Sequence, residues 1–153
     1  AQFGASTDKP VVGDYNGDGK ADYAVIRRSS GLMTWYILYN GGSTFAASGW
    51  GLDTDVAVPA DFDGDRKSDL AVWRASNGTW YALKSGGGGI IGSQWGQAGD
   101  IPVAADYDGD GKTDLGVYRP GDTTWYTNGG TSGVGINSFG IAGDTPIPSA
   151  YNR

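Results

Sequence analysis

The chain has 153 residues, no cysteine, no histidine and a formal net charge of -6 from 17 acidic and 11 basic residues. That length is about one domain's worth. The missing histidine removes His-based acid/base catalysis, His-dependent nucleophile triads and nearly all zinc or iron sites, and negative charge without a basic run argues against nucleic acid and anionic membrane surfaces.

All 17 acidic residues are aspartate, a poor helix former, and 28 glycines stand beside abundant Trp, Tyr, Val and Thr. This is the composition of short strands joined by tight turns, an all-β chain. No apolar run approaches the roughly 18 residues of a membrane-spanning helix, so no membrane insertion is expected. The opening AQFGASTD has neither the basic nor the apolar region of a signal peptide, so the chain reads as a mature or excised piece. Without cysteine there is no disulfide framework from which to read a compartment.

In chain order the elements recur. DYNGDGKADYAVIR (14–27), DFDGDRKSDLAVWR (61–74) and DYDGDGKTDLGVYR (106–119) begin 47 and then 45 residues apart. Each leads to TWY (34–36, 79–81, 124–126), a Gly-rich turn, WG or FG (50–51, 95–96, 139–140), and an Asp six residues before the next loop position (Asp8, Asp55, Asp100, Asp144). In the second repeat the predicted strands are 56–61, 68–74, 79–84 and 90–95, with Asn77-Gly78 as a hairpin signal. Four strands in about 45 residues is the size of one propeller blade. The expected fold is therefore a β-propeller of four-stranded antiparallel blades, three per chain plus one extra strand. It forms a single domain over 1–153 with repeats at approximately 3–49, 50–94 and 95–138 and a truncated fourth at 139–153. In that last unit Ala150 stands where the first Asp of a loop should be. Ala24, Ala71 and Gly116 share a strand face with Ile26, Trp73 and Tyr118, a small residue beside a large one, as close sheet-on-sheet approach requires.

Aspartates this crowded repel one another unless a cation sits among them. Oxygen ligands at loop positions 1, 3 and 5, a carbonyl at 7 and Gly at 6 are the arrangement of calcium loops. Here they are Asp14, Asn16, Asp18 and the Lys20 carbonyl; Asp61, Asp63, Asp65 and the Lys67 carbonyl; and Asp106, Asp108, Asp110 and the Lys112 carbonyl. Position 9 adds Asp22, Asp69 and Asp114, while position 12, the Glu of an EF-hand, is Val25, Val72 or Val117 and a strand follows, so these are not EF-hands. Calcium is expected over magnesium because an all-protein oxygen cage suits the larger ion, about three per chain. Three Ca²⁺ would balance the formal charge of -6. Arg66 replaces Gly at position 6 of the second loop, where positive φ is wanted, so weaker binding is expected there.

These residues resemble the FG-GAP (VCBS-type) repeats of calcium-binding β-propellers, the class that includes integrin α-chain heads and propeller lectins. The likeness covers essentially the whole chain: FG or WG, then GD-x-P, then the acidic loop, then AV-x-R. It is closest to secreted bacterial versions, and implies that calcium pins the turn between the innermost strand of a blade and the second. It implies an extracellular or cell-surface setting. Propellers usually have four to eight blades, so three further readings stand open: a fragment of a longer propeller, two chains pairing into a ring as a homo-oligomer, or donation of the extra strand DTPIPSAYN to a neighbour.

Trp35, Trp80 and Trp125 recur at one strand position. Packing between blades is the first reading and a sugar-stacking platform the second. Arg27, Arg74 and Arg119 are expected in structural ion pairs, with ligand binding as the alternative. Eleven of the 17 aspartates lie in the loops, leaving no evident carboxylate pair for glycosidase chemistry, so no enzyme is expected. The expected function is a binding or adhesion module, with a glycan as the ligand. The alternatives are a self-assembling surface or filament protein and a non-catalytic appendage of a polysaccharide-active enzyme.

Overall fold

In the computed structural model, which describes residues 3–147, the chain is all-β, with three four-stranded antiparallel sheets and no α-helix among the described residues. The first sheet comprises β1 (Lys9–Pro10), β2 (Tyr23–Ser29), β3 (Leu32–Leu38) and β4 (Phe45–Leu52). The second comprises β5 (Val56–Ala57), β6 (Leu70–Arg74), β7 (Thr79–Leu83) and β8 (Ile90–Gln94), and the third β9 (Ile101–Pro102), β10 (Leu115–Arg119), β11 (Thr124–Gly129) and β12 (Gly133–Ser138). Strand order within each sheet follows chain order, so every connection is local. Pro10 and Pro102 lie in edge strands, where the absent N–H breaks no ladder. The two extra residues of the first repeat lengthen its β2–β3 hairpin, which turns at Ser30-Gly31.

The first strand of each sheet continues past its short ladder into one further bridge: Gly13 to Asp22, Ala60 to Asp69 and Ala105 to Asp114. Each bridge closes the neck of an acidic loop and fixes the position 9 aspartate beside it.

The sheets stack face to face through two apolar layers. Ala24, Ile26, Trp35 and Ile37 of the first sheet meet Leu70, Val72, Tyr81 and Leu83 of the second. Trp73 and Trp80 of the second then meet Leu115, Val117 and Tyr126 of the third. The small residues of the first two sheets, Ala24 and Ala71, lie buried beside Ile26 and Trp73. Gly116 is small for a reason within its own repeat: an added Cβ would lie 2.5 Å from the Val103 carbonyl oxygen and 3.0 Å from the Tyr107 ring. The expected extra strand is not present where it can be seen, since residues 144–147 form no strand. Ala150 and the remainder of DTPIPSAYN lie outside the described residues.

Candidate metal centre

Each acidic loop is wound by its own side chains in the same way. The position 1 carboxylate accepts the amides of positions 4 and 6: Gly17 and Gly19 on Asp14, Gly64 and Arg66 on Asp61, Gly109 and Gly111 on Asp106, all at 2.6–3.0 Å. Position 3 accepts the amide of position 5, so Asp18 donates to Asn16, Asp65 to Asp63 and Asp110 to Asp108. The Lys20, Lys67 and Lys112 amides donate to the position 5 carboxylates, closing the turn that carries their carbonyls. These are Asx turns in succession. They force side-chain oxygens to the inside of each loop.

Carboxylate oxygens of Asp61, Asp63 and Asp65 lie within 4.8 Å of one another, and so do those of Asp106, Asp108 and Asp114. Either group could hold a metal ion. In the first loop position 3 is Asn16, whose amide oxygen takes the place of one charge. The donors are oxygen throughout, which fits a hard cation.

Position 9 has a second task. Asp22 is buried and accepts the amides of Tyr15 and Asn40, and Asp69 likewise accepts those of Phe62 and Ser85. Asn40 and Ser85 lie beyond β3 and β7, so the loop is tied to the second hairpin of its own sheet. The position 5 carboxylate is also met from that hairpin: Ser85 Oγ donates to Asp65, and Thr131 Oγ1 to Asp110 at 2.9 Å. The Asn40 side chain does the same for Asp18.

The charges respond in opposite directions. Asn40 first, and the Lys20 amide with it, holds the Asp18 carboxyl below its ordinary range. Burial, followed by the charge of Asp63 and Asp61, holds Asp69 above it against the Ser85 and Phe62 amides. Asp114 is raised likewise by burial and then by Asp108, Asp110 and Asp106, against the Tyr107 amide. A buried carboxylate held up by its acidic neighbours is relieved by a cation among them.

Neighbouring loops touch. The Ser68 amide donates to the Asp14 carbonyl at 2.6 Å and the Thr113 amide to the Asp61 carbonyl at 2.7 Å. The Lys67 stem covers Gly17, and Lys112 covers Gly64. The second loop keeps the backbone of the others despite its sequence: Arg66 has φ +69° where Gly19 and Gly111 have +83° and +87°.

The remaining singled-out residues lie elsewhere. Trp35 and Trp80 are fully buried, each donating its indole N–H to a carbonyl, of Trp50 and Trp95, at 2.9 Å. A buried indole presents no face to a sugar, so a stacking role is corrected to core packing for these two. Trp125 alone of the three is half-buried, beside Thr127, Asn137 and Phe139 in an open groove. Arg27, Arg74 and Arg119 form two-pronged ion pairs with Asp8, Asp55 and Asp100 at 2.8–2.9 Å. Each guanidinium also lies over a tyrosine ring, Tyr36, Tyr81 or Tyr126, 4.3–4.6 Å from its centre. The ion-paired reading therefore holds, with the aspartate six residues before each loop as the partner. The constant 19-residue spacing of each Asp–Arg pair was the available signal.

Neither a curated protein nor a solved structure matches the chain. The FG-GAP-like repeat profile matches residues 14–72 and again 61–117, each match running from one acidic loop into the strand after the next. The chain belongs to the FG-GAP-like repeat family.

Proposed function

We propose that the chain is a calcium-stapled β-propeller-type module that works by binding rather than by catalysis, outside the cell, with carbohydrate as its ligand. The observation that carries the calcium reading is the same oxygen-lined loop at the same place in three successive sheets, each with its innermost strand closed by a bridge to the position 9 aspartate. Asp18, Asp65 and Asp110 are exposed, so each loop is a partly open cage. Such a cage suits the roughly millimolar calcium of extracellular modules. Face-to-face stacking, with each sheet offering the same face to the next, supports a propeller arc.

The carbohydrate reading rests on the groove between the second and third sheets. It offers the apolar surface of Phe62 and Ile91 beside Ser93, Lys112, Asn128 and Thr131, with Asp110 and Asp114 of the third loop at its wall. An apolar floor ringed by hydroxyl, amide, ammonium and carboxylate groups suits the two-sided chemistry of a sugar. A glycan array probed with calcium-loaded protein, then after chelation, tests it. Binding that disappears on chelation and weakens in Asn128→Ala supports the reading; a blank array with folded, calcium-loaded protein removes carbohydrate as the ligand.

A further inference from the structure

We infer that the acidic loops take up metal as one linked series, with Ser68 and Thr113 as the positioning residues that couple each loop to the one before it. This rests on the calcium reading above and goes beyond it, because three identical loops on three sheets would otherwise act as three independent sites.

The link is a single peptide unit. The Lys67 carbonyl is an expected ligand of the second loop, and the N–H of that same peptide belongs to Ser68. The peptide is trans, so its two dipole ends point in opposite directions. While the carbonyl serves its own loop, the Ser68 N–H donates to the Asp14 carbonyl of the first loop at 2.6 Å. The third loop does the same to the second, the Thr113 N–H donating to the Asp61 carbonyl at 2.7 Å. Asp14 and Asp61 are no passive acceptors, since their carboxylates hold the amides of positions 4 and 6 and so wind the loops they open.

Side chains reinforce the seat. A Cβ at Gly17 would lie 2.9 Å from Lys67 Cγ, and one at Gly64 would lie 3.1 Å from Lys112 Cε, so each lysine stem rests on position 4 of the preceding loop. Ser68 also presses on the neck of the first loop: a Cβ at Gly13, the residue bridged to Asp22, would lie 2.7 Å from Ser68 Oγ. Asp14, Asp61 and Ser68 are buried, so water does not compete for the first of these links.

A cation bound by the Lys67 carbonyl fixes the plane of that peptide and polarises its N–H into a stronger donor. The Asp14 backbone is thereby held in place, and the first loop has less to order when its own ion arrives. Coupling of this kind is reciprocal. The second loop feels it from both sides, donating to the first and accepting from the third. That loop also carries Arg66 at φ +69°, so the site with the least favourable backbone is the one its neighbours support.

Amide NMR of the isotope-labelled 153-residue chain, titrated with Ca²⁺ alone, tests this, with Gly17, Gly64 and Gly109 reporting the three loops separately. In the wild type, filling should slow hydrogen exchange at the Ser68 and Thr113 amides. In Asp106→Ala, which removes a ligand from the third loop only, the Gly64 midpoint is expected to move to about fivefold higher calcium or more, and the Gly17 midpoint, one loop further away, to move less. Asp14→Ala approaches from the other end, with Gly64 again weakened and Gly109 moved less. A general loss of stability would shift both remaining loops alike. Charge alone would act in the opposite direction, because the third loop of Asp106→Ala, with three carboxylates and no ion, carries one more negative charge than the filled wild-type loop and would draw calcium to its neighbour. A Gly64 midpoint unmoved or lowered in both variants, or exchange at Ser68 and Thr113 indifferent to filling, overturns the linkage and leaves the calcium reading standing; a titration that moves no loop amide overturns both.

Discussion

Arg74, at the end of β6, grips Asp55, in the linker that leaves the first sheet, through two parallel hydrogen bonds of 2.9 and 2.8 Å. The Asp55 side chain is fully buried and Arg74 is stacked 4.5 Å from the centre of the Tyr81 ring, so charge, fork geometry and aromatic face act together. Asp55→Ala leaves the guanidinium without its counter-charge and is expected to cost about 3 kcal/mol in urea unfolding. Arg74→Lys keeps the charge and loses the fork, and should fall between the two. Wild-type stability in Arg74→Lys would show that the two-pronged geometry is not what holds the linker.

The corresponding pair at the N-terminal side gives a pH dependence. Hydrogen bonding to Arg27, then to the Ala5 amide, holds the Asp8 carboxyl down at about 2, against an ordinary 3.8. A group whose folded value is depressed adds stability above its unfolded value and loses it as pH falls toward the folded one. The stability difference between wild type and Asp8→Asn should therefore be constant above pH 4 and shrink between about pH 4 and 2. Denaturant melts at half-unit steps would reveal this; a difference that stays flat through that window would mean the pair is not formed in solution.

The recurrent tryptophans should divide by burial and not by motif position. Trp35 lies wholly between the first two sheets, so Trp35→Ala is expected to cost about 4 kcal/mol, within the range for emptying an aromatic core site. Trp125 is half-buried on an open face, and its truncation should cost less than half as much. Equal losses in calorimetry would mean that the third sheet's outer face is covered in solution.

Arg66 is a local flaw that a single substitution removes. Holding a residue that carries a Cβ at φ +69° costs about 1–2 kcal/mol relative to glycine. Arg66→Gly restores the residue found at Gly19 and Gly111 and should raise stability by about 1 kcal/mol, or roughly 3 °C in melting temperature. A lower melting temperature would mean that the arginine side chain makes a compensating contact.

Much of this was legible in the sequence because the repeat is written in residues whose roles are local. The clustered loop carboxylates, the strand after each loop and the small residue beside the large one at Ala71 and Trp73 follow from spacing within a dozen residues. What escaped involves partners from other segments. Arg74 stacking on Tyr81 joins β6 to β7, and its pairing with Asp55 spans a linker; each residue had been read alone. The donors to the position 5 carboxylates vary in type, Asn40, Ser85 and Thr131, so no motif marks them. The fate of Trp35 and Trp80 depended on which sheet faces meet, which a strand's own alternation leaves open.

Calcium titration of the chelator-stripped chain by isothermal calorimetry bears most directly on the claim that the acidic loops are metal staples. About three Ca²⁺ per chain are expected, with the second loop weakest, two per chain in Asp106→Ala, and a melting temperature that rises with free calcium as ligand linkage requires. Absence of binding heat, together with a melt unmoved between chelator and millimolar calcium, would contradict it.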